Sequence, residues 1–155
     1  MKIRKPSHWE KLLAIVIGIS LGILFSTSAK ADLDKAIEYA ESGETKKAEI
    51  ELYNISQRAM NGQPKSMCEF GTMYRTEGYW IIQSDEDSSE WWLKSAEMGY
   101  APCQFNIGSA YLIGSGIDKD LIKAKFWLKK AIDGTYKKYS TVAKVLYDAH
   151  ELDKY

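Results

Sequence analysis

The sequence predicts an all-α fold, a short α/α solenoid of antiparallel helix pairs, and three observations predict it. A pattern of glycines, alanines and aromatics recurs between residues 59–99 and 96–134 at matching offsets. Each copy carries start and stop signals for two helices, and the length difference between copies is confined to one loop. The flanking segments place apolar residues at helical spacing. About seven helices are expected after a leader segment.

The chain of 155 residues opens on what reads as an export signal. Lys2, Arg4, Lys5 and Lys11 form a basic start, and Leu12 to Phe25 is apolar apart from Gly18, Ser20 and Gly22. Ala29-Lys30-Ala31 then supplies the small-x-small pattern of a cleavage site. The apolar run holds about 14 residues, whereas a membrane span needs about 20. Residues 1–31 are therefore expected to be a signal peptide cleaved after Ala31, with an uncleaved anchor of the same topology as the alternative. A periplasmic or secreted domain, 32–155, would follow.

A first helical hairpin is expected within residues 32–61, from Leu33 to Ser42 and from Thr45 to Asn61. Ala36, Ile37 and Ala40 would face Ala48, Leu52 and Ile55 across it. In the next copy Gly62 leads to Phe70-Gly71 and Tyr74; Gly99 leads to Ile107-Gly108 and Tyr111 at a spacing of 37. Asp85, Ser89, Trp92, Ala96 and Gly99 match Asp120, Ala124, Trp127, Ala131 and Gly134 at a spacing of 35. The difference falls between Tyr74 and Asp85, where a loop absorbs length without disturbing a helix.

Pro64 and Pro102 fall in the first turns of the leading, or A, helices, where a missing N–H costs nothing. Asp85 and Asp120 fit the N-terminal turns of the following B helices, and Gly99 and Gly134 their C-caps. Gly71 and Gly108 lie inside A helices, where glycine costs up to about 1 kcal/mol relative to alanine, so close helix approach is expected there. Residues 135–155, helical from Tyr139 to Leu152, would cap the stack.

The 21 basic and 21 acidic residues are unevenly placed. Without the leader there are 16 basic and 20 acidic residues: seven against 14 up to Glu97, and nine against six from Met98 onward. A mildly acidic domain binds nucleic acid poorly, so no nucleic-acid partner is expected. Lys123, Lys125, Lys129, Lys130, Lys137 and Lys138 read as a solvated helical face, whose functional reading is the steering of an acidic partner. Past the leader nothing is apolar enough to span a bilayer, and membrane contact is expected through an uncleaved leader if at all.

Catalytic chemistry is not expected. The domain has one histidine, His150, and two cysteines, so no zinc-ligand spacing exists. No serine of the domain is followed three residues on by lysine, as an acyl-enzyme signature requires. Asp85, Glu86, Asp87 and Glu90 fit a helix start better than a glycosidase pair. No metal and no cofactor is implied. Trp91, Trp92, Trp127, Tyr74 and Tyr111 recur with the period and are expected in the core. Tyr79 and Trp80 are surplus to the pattern, and two readings stay open: a binding hot spot, or aromatics folded back on the loop.

Ala-x-x-Gly, x-Gly-x-x-Tyr, a Gly-x-Gly-aliphatic loop, Asp-x-x-x-Ala-x-x-Trp and a closing Ala-x-x-Gly resemble Sel-one-like repeats, a tetratricopeptide-related α/α solenoid family. The match is clearest at Ala96, Gly99, Gly108, Tyr111, Gly114, Gly116, Ile117, Asp120, Ala124, Trp127, Ala131 and Gly134. The first copy departs from it at Ser89, where alanine is usual, and in its longer loop.

The resemblance implies a right-handed solenoid whose concave surface, made mainly by A helices, holds a protein or peptide. Glu69, Met73, Arg75, Asn106 and Ser109 are the expected exposed positions on those helices. It further implies a non-enzymatic interaction adaptor, with an immunity protein that occludes an antibacterial effector as one subtype. A peptidoglycan- or carbohydrate-binding accessory, with Tyr79 and Trp80 stacking on sugar, is the alternative.

In cysteine-rich members of that family, bridges join the end of a B helix to the next A helix, and here Ser95 occupies the B-helix place. Cys68 and Cys103 instead fall on successive A helices, six and four residues after their repeat glycines, so their side chains leave at different angles. A disulfide needs Cα atoms within about 7 Å. A bridge and two buried thiols both remain open from the sequence.

Overall fold

Seven helices follow one another in the computed structural model, which describes residues 33–76 and 81–155. They are α1 (Leu33–Glu41), α2 (Thr45–Met60), α3 (Pro64–Met73), α4 (Asp85–Glu97), α5 (Ala101–Ile113), α6 (Leu121–Asp133) and α7 (Lys137–Ala149), and a short 3-10 turn (Leu152–Lys154) closes the chain. The expected leader and the loop residues Tyr79 and Trp80 lie outside the described residues. Each helix packs on the one before it and the one after it, and α5 also touches α7. This is the pairwise order of an α/α solenoid, with α1, α3, α5 and α7 as A helices and α2, α4 and α6 as B helices.

Local chemistry sets the helix ends. Pro64 and Pro102 stand in the first turns of α3 and α5. The Asp120 carboxylate accepts the Lys123 backbone N–H at 2.9 Å and caps α6. That hydrogen bond is the main reason its carboxyl is held below the ordinary range. The matching residue Asp85 is not the cap of α4. Ser84 takes that place, its hydroxyl accepting the Asp87 N–H at 3.0 Å, and Asp85 becomes the first helical residue.

The two mid-helix glycines mark where helices touch. A methyl group at Gly71 would sit 2.8 Å from Trp92 Cδ1 and 3.0 Å from the Ser88 carbonyl oxygen. One at Gly108 would sit 2.9 Å from Leu128 Cγ. α3 and α5 therefore each lie so close on their own B helix that a side chain is refused, and the propensity cost of glycine is offset by that contact. Around these crossings Phe70, Tyr74, Trp92, Ile107, Tyr111, Trp127 and Leu128 are buried. Trp91 is half-buried, its ring 5.1 Å from that of Phe70. In the first hairpin Ala36, Ala48, Leu52 and Ile55 are buried as expected, but Ala40 is exposed.

Polar ties cross from one repeat to the next. The Ser115 hydroxyl donates to Asp85 Oδ2 at 2.6 Å, and the Ser89 hydroxyl donates to the Ser115 carbonyl at 3.0 Å. Beside them Gly116 has φ +67°, and a methyl there would lie 1.9 Å from the Asp85 carbonyl oxygen. The Gly-x-Gly loop of the second repeat is thus clasped onto the start of the first repeat's B helix. Ser89, the departure from the usual alanine, supplies one of the two hydroxyls. Within the first repeat, the Ser95 hydroxyl on α4 donates to the Pro64 carbonyl at 2.6 Å and ties it to the start of α3.

Candidate partner-binding surface

Residues at i, i+4, i+7 and i+11 share one stripe of a helix. Gly71 and Gly108 set the register between α3 and α5, and Tyr100 and Tyr136, which precede α5 and α7, extend it. Three equivalent stripes result: Lys65, Glu69 and Thr72, with Thr76 past the end of α3; Pro102, Asn106, Ser109 and Ile113; Lys138, Val142, Val145 and Ala149. Their character changes along the stack. On α3, Lys65 and Glu69 are ion-paired at 3.1 Å. On α5 the stripe is uncharged, and Ile113 stands 65% exposed. On α7 it is apolar, with Val142 43% and Val145 60% exposed.

Two of the positions expected on this surface do not belong to it. Met73 is 2% exposed and sits in the core, because its repeat equivalent is the buried Ala110 rather than a stripe residue. Arg75 is turned toward α4: it lies 3.7 Å from Asp85 Oδ1 and places its guanidinium 5.2 Å from the Trp92 ring centroid. Glu69, Asn106 and Ser109 do fall on the stripes, and each is half-buried. Asn106 Nδ2 approaches Cys68 Sγ at 3.8 Å, and the Ser109 hydroxyl donates to the Phe105 carbonyl at 2.9 Å.

Cys68 and Cys103 are joined, with an S–S distance of 2.08 Å and Cα atoms 5.7 Å apart. Their unequal offsets are what the bridge requires. Two parallel helices lying side by side meet through opposite flanks, so the residue facing forward on α3 and the one facing back on α5 cannot be repeat equivalents. The next interface obeys the same rule without sulfur. Phe105 is the equivalent of Cys68 and Tyr139 the counterpart of Cys103, and their rings lie 5.8 Å apart between α5 and α7.

A second aromatic contact, Tyr100 on Tyr136 at 5.5 Å edge-on, ties the starts of α5 and α7. Burial first, then Tyr136 and Glu69, push the Tyr100 phenol up to about 12. Ile113, Val142, Val145 and this aromatic row escape a reading that takes the last helix as a mere cap. The signal that finds them is one further turn of the period, from Tyr100 to Tyr136.

Two of the four acids at the start of α4 are held in structural contacts. Asp85 takes the Ser115 hydroxyl, and Glu90 pairs with Lys94 at 2.6 Å. Among the described residues no group of three His, Cys, Asp or Glu side chains could hold a metal ion, and no helix is long and apolar enough to cross a membrane. His150 is exposed at the end of α7. Of the six lysines expected on one face, Lys123 pairs with Asp120 at 3.3 Å and Lys130 lies 4.8 Å over the Phe126 ring. Lys125 reaches the Asp153 carbonyl at 3.4 Å.

No curated protein matches the chain. A crystal structure of a Sel1 repeat protein from Oxalobacter formigenes is similar, with 26% identity and a TM-score of 0.56 over 73% of this chain. The match covers 43% of that protein, so the chain spans less than half of its length. The Sel1 repeat family model matches residues 20–43, 64–100 and 101–136, the first stretch beginning inside the expected leader. With the glycine crossings, the clasped loop and the paired helices all in family order, the chain belongs to the Sel1 repeat family.

Proposed function

We infer that the chain is a non-enzymatic scaffold that takes a polypeptide partner on the stripes of its A helices. One observation carries this reading: α5 is buried on its other flanks and α7 packs on α5 and α6, yet along this line Ile113 and Val145 are 65% and 60% exposed. Large apolar side chains aligned on successive repeats mark an interaction surface. The Cys68–Cys103 bridge supports work in an oxidising compartment, in line with a periplasmic or secreted protein.

A photo-crosslinking residue at Ser109, on the stripe, should capture a polypeptide in the exported chain, and one at Lys94, on α4, should not. Capture from Lys94 alone, or from neither, would sink the reading. Immunity by occlusion is the subtype we favour, and the purified domain should then inhibit a secreted wall hydrolase or phospholipase encoded beside it. The carbohydrate reading rests on Tyr79 and Trp80, which lie outside the described residues.

A further inference from the structure

We propose that the surface between α5 and α7 binds an acidic amphipathic helix, its apolar side chains seated on Ile113, Val142 and Val145. The proposal rests on the polypeptide-binding reading and adds the chemistry of the partner. The two helices are in contact, and the Phe105–Tyr139 pair lies between them, 5.8 Å centroid to centroid. The α5 wall carries Asn106, Ser109 and Ile113 and no charge, and the α7 wall carries Val142, Val145 and Ala149. The four stripe positions of α7 run from Lys138 to Ala149, which at 1.5 Å per residue is a line of about 17 Å, enough for three turns of a docked helix.

Charge decides which helix fits. Lys137 and Lys138 stand exposed at the mouth of this surface with no ion-pair partner among the described residues. Of the acids around α7, Asp148 pairs with Lys144 at 2.5 Å, Asp153 accepts the Tyr147 hydroxyl at 2.7 Å and Glu151 pairs with Lys154, while Asp133 at the end of α6 has no ion-pair partner among the described residues. At the far end of the A-helix line Glu69 is held by Lys65. An apolar strip headed by two unpaired ammonium groups selects glutamate or aspartate beside the apolar side chains of its partner and repels lysine there.

The test uses the whole domain and a fluorescent peptide of about 16 residues, with leucines at helical spacing and glutamates on the flanks. Two control peptides carry lysine for glutamate, or serine for leucine. The acidic peptide should bind at least about tenfold tighter than either control, and more weakly as salt rises. Val142→Asp with Val145→Asp should reduce binding at least about tenfold, while Ile122→Asp on α6 leaves it unchanged. All three positions are exposed, and circular dichroism should confirm an unchanged fold.

Equal binding of the lysine peptide, or equal loss with Ile122→Asp, would overturn the proposal. Absence of binding by the acidic peptide would do the same. So would attachment to phosphatidylglycerol vesicles that Val142→Asp and Val145→Asp abolish, which would assign the surface to a membrane. Capture at Ser109 reports a polypeptide whatever its charge, so the scaffold reading can survive the loss of this one.

Discussion

Replacing both Cys68 and Cys103 by alanine frees a loop that holds the end of α3, all of α4 and the start of α5. The two residues are 35 apart in sequence. In the chain-entropy treatment, closing a loop of that length removes about 13 cal/mol/K from the unfolded ensemble, or about 4 kcal/mol at 25 °C. The side chains lost are small, so packing contributes little beside this. With a urea slope of about 2 kcal/mol/M, the midpoint should fall by about 2 M at nearly unchanged slope. The assay is equilibrium urea unfolding of the oxidised protein, the reduced protein and the double variant, followed by circular dichroism. Reduced wild type and double variant should coincide, and added reductant should leave the variant unmoved. If reduction leaves the wild-type midpoint in place, the bridge does not restrict the unfolded chain and the reasoning fails.

The helix crossings give the next expectation: Gly71→Ala and Gly108→Ala should each lower stability by about 1–3 kcal/mol in thermal melts, despite the better helix propensity of alanine. Gly116→Ala should cost more than either, since its methyl would meet backbone at 1.9 Å from a residue with φ +67°. Ser84→Ala should cost about 1 kcal/mol through loss of the α4 cap. Burial, with Asp87 and Glu90 behind it, raises the Tyr74 phenol to about 12, as for Tyr100, from an ordinary 10.0. A phenol whose folded value is raised contributes stability that is complete below pH 10.0 and is lost as pH climbs toward about 12. Tyr147 is raised as well, first by its hydroxyl's hydrogen bond to Asp153, so spectrophotometric titration should show three tyrosines ionising late, together with alkaline unfolding; full ionisation before the fold is lost would contradict this.

The architecture was legible because each repeated residue answers to a steric demand that holds wherever the pattern recurs. Gly71 and Gly108 are refused side chains by Trp92 and Leu128, and such positions keep their spacing. The surface was less legible because exposure depends on which flank of a rod meets its neighbour, and composition does not reveal that. Met73 looks like any residue near the end of an A helix until it is aligned with Ala110, and then its burial follows. Val142 and Val145 were hidden by reading α7 as a lid on the stack, although Tyr136 already carried the register forward. The α4 cap was ambiguous for a chemical reason: Ser84 and Asp85 are both good cap formers, and only the backbone decides between them.

The clasp of Ser115 and Gly116 on Asp85 bears on how a nascent chain matures. Synthesis delivers α4 well before residues 115 and 116, so its first turn must wait without the incoming hydroxyl and without the glycine that closes over it. Vectorial folding would stall there until the second repeat emerges, leaving the middle of the molecule pliable until then. A chain truncated ahead of Gly114 would never receive this fastening, and its loosened segment should be an early point of proteolytic attack.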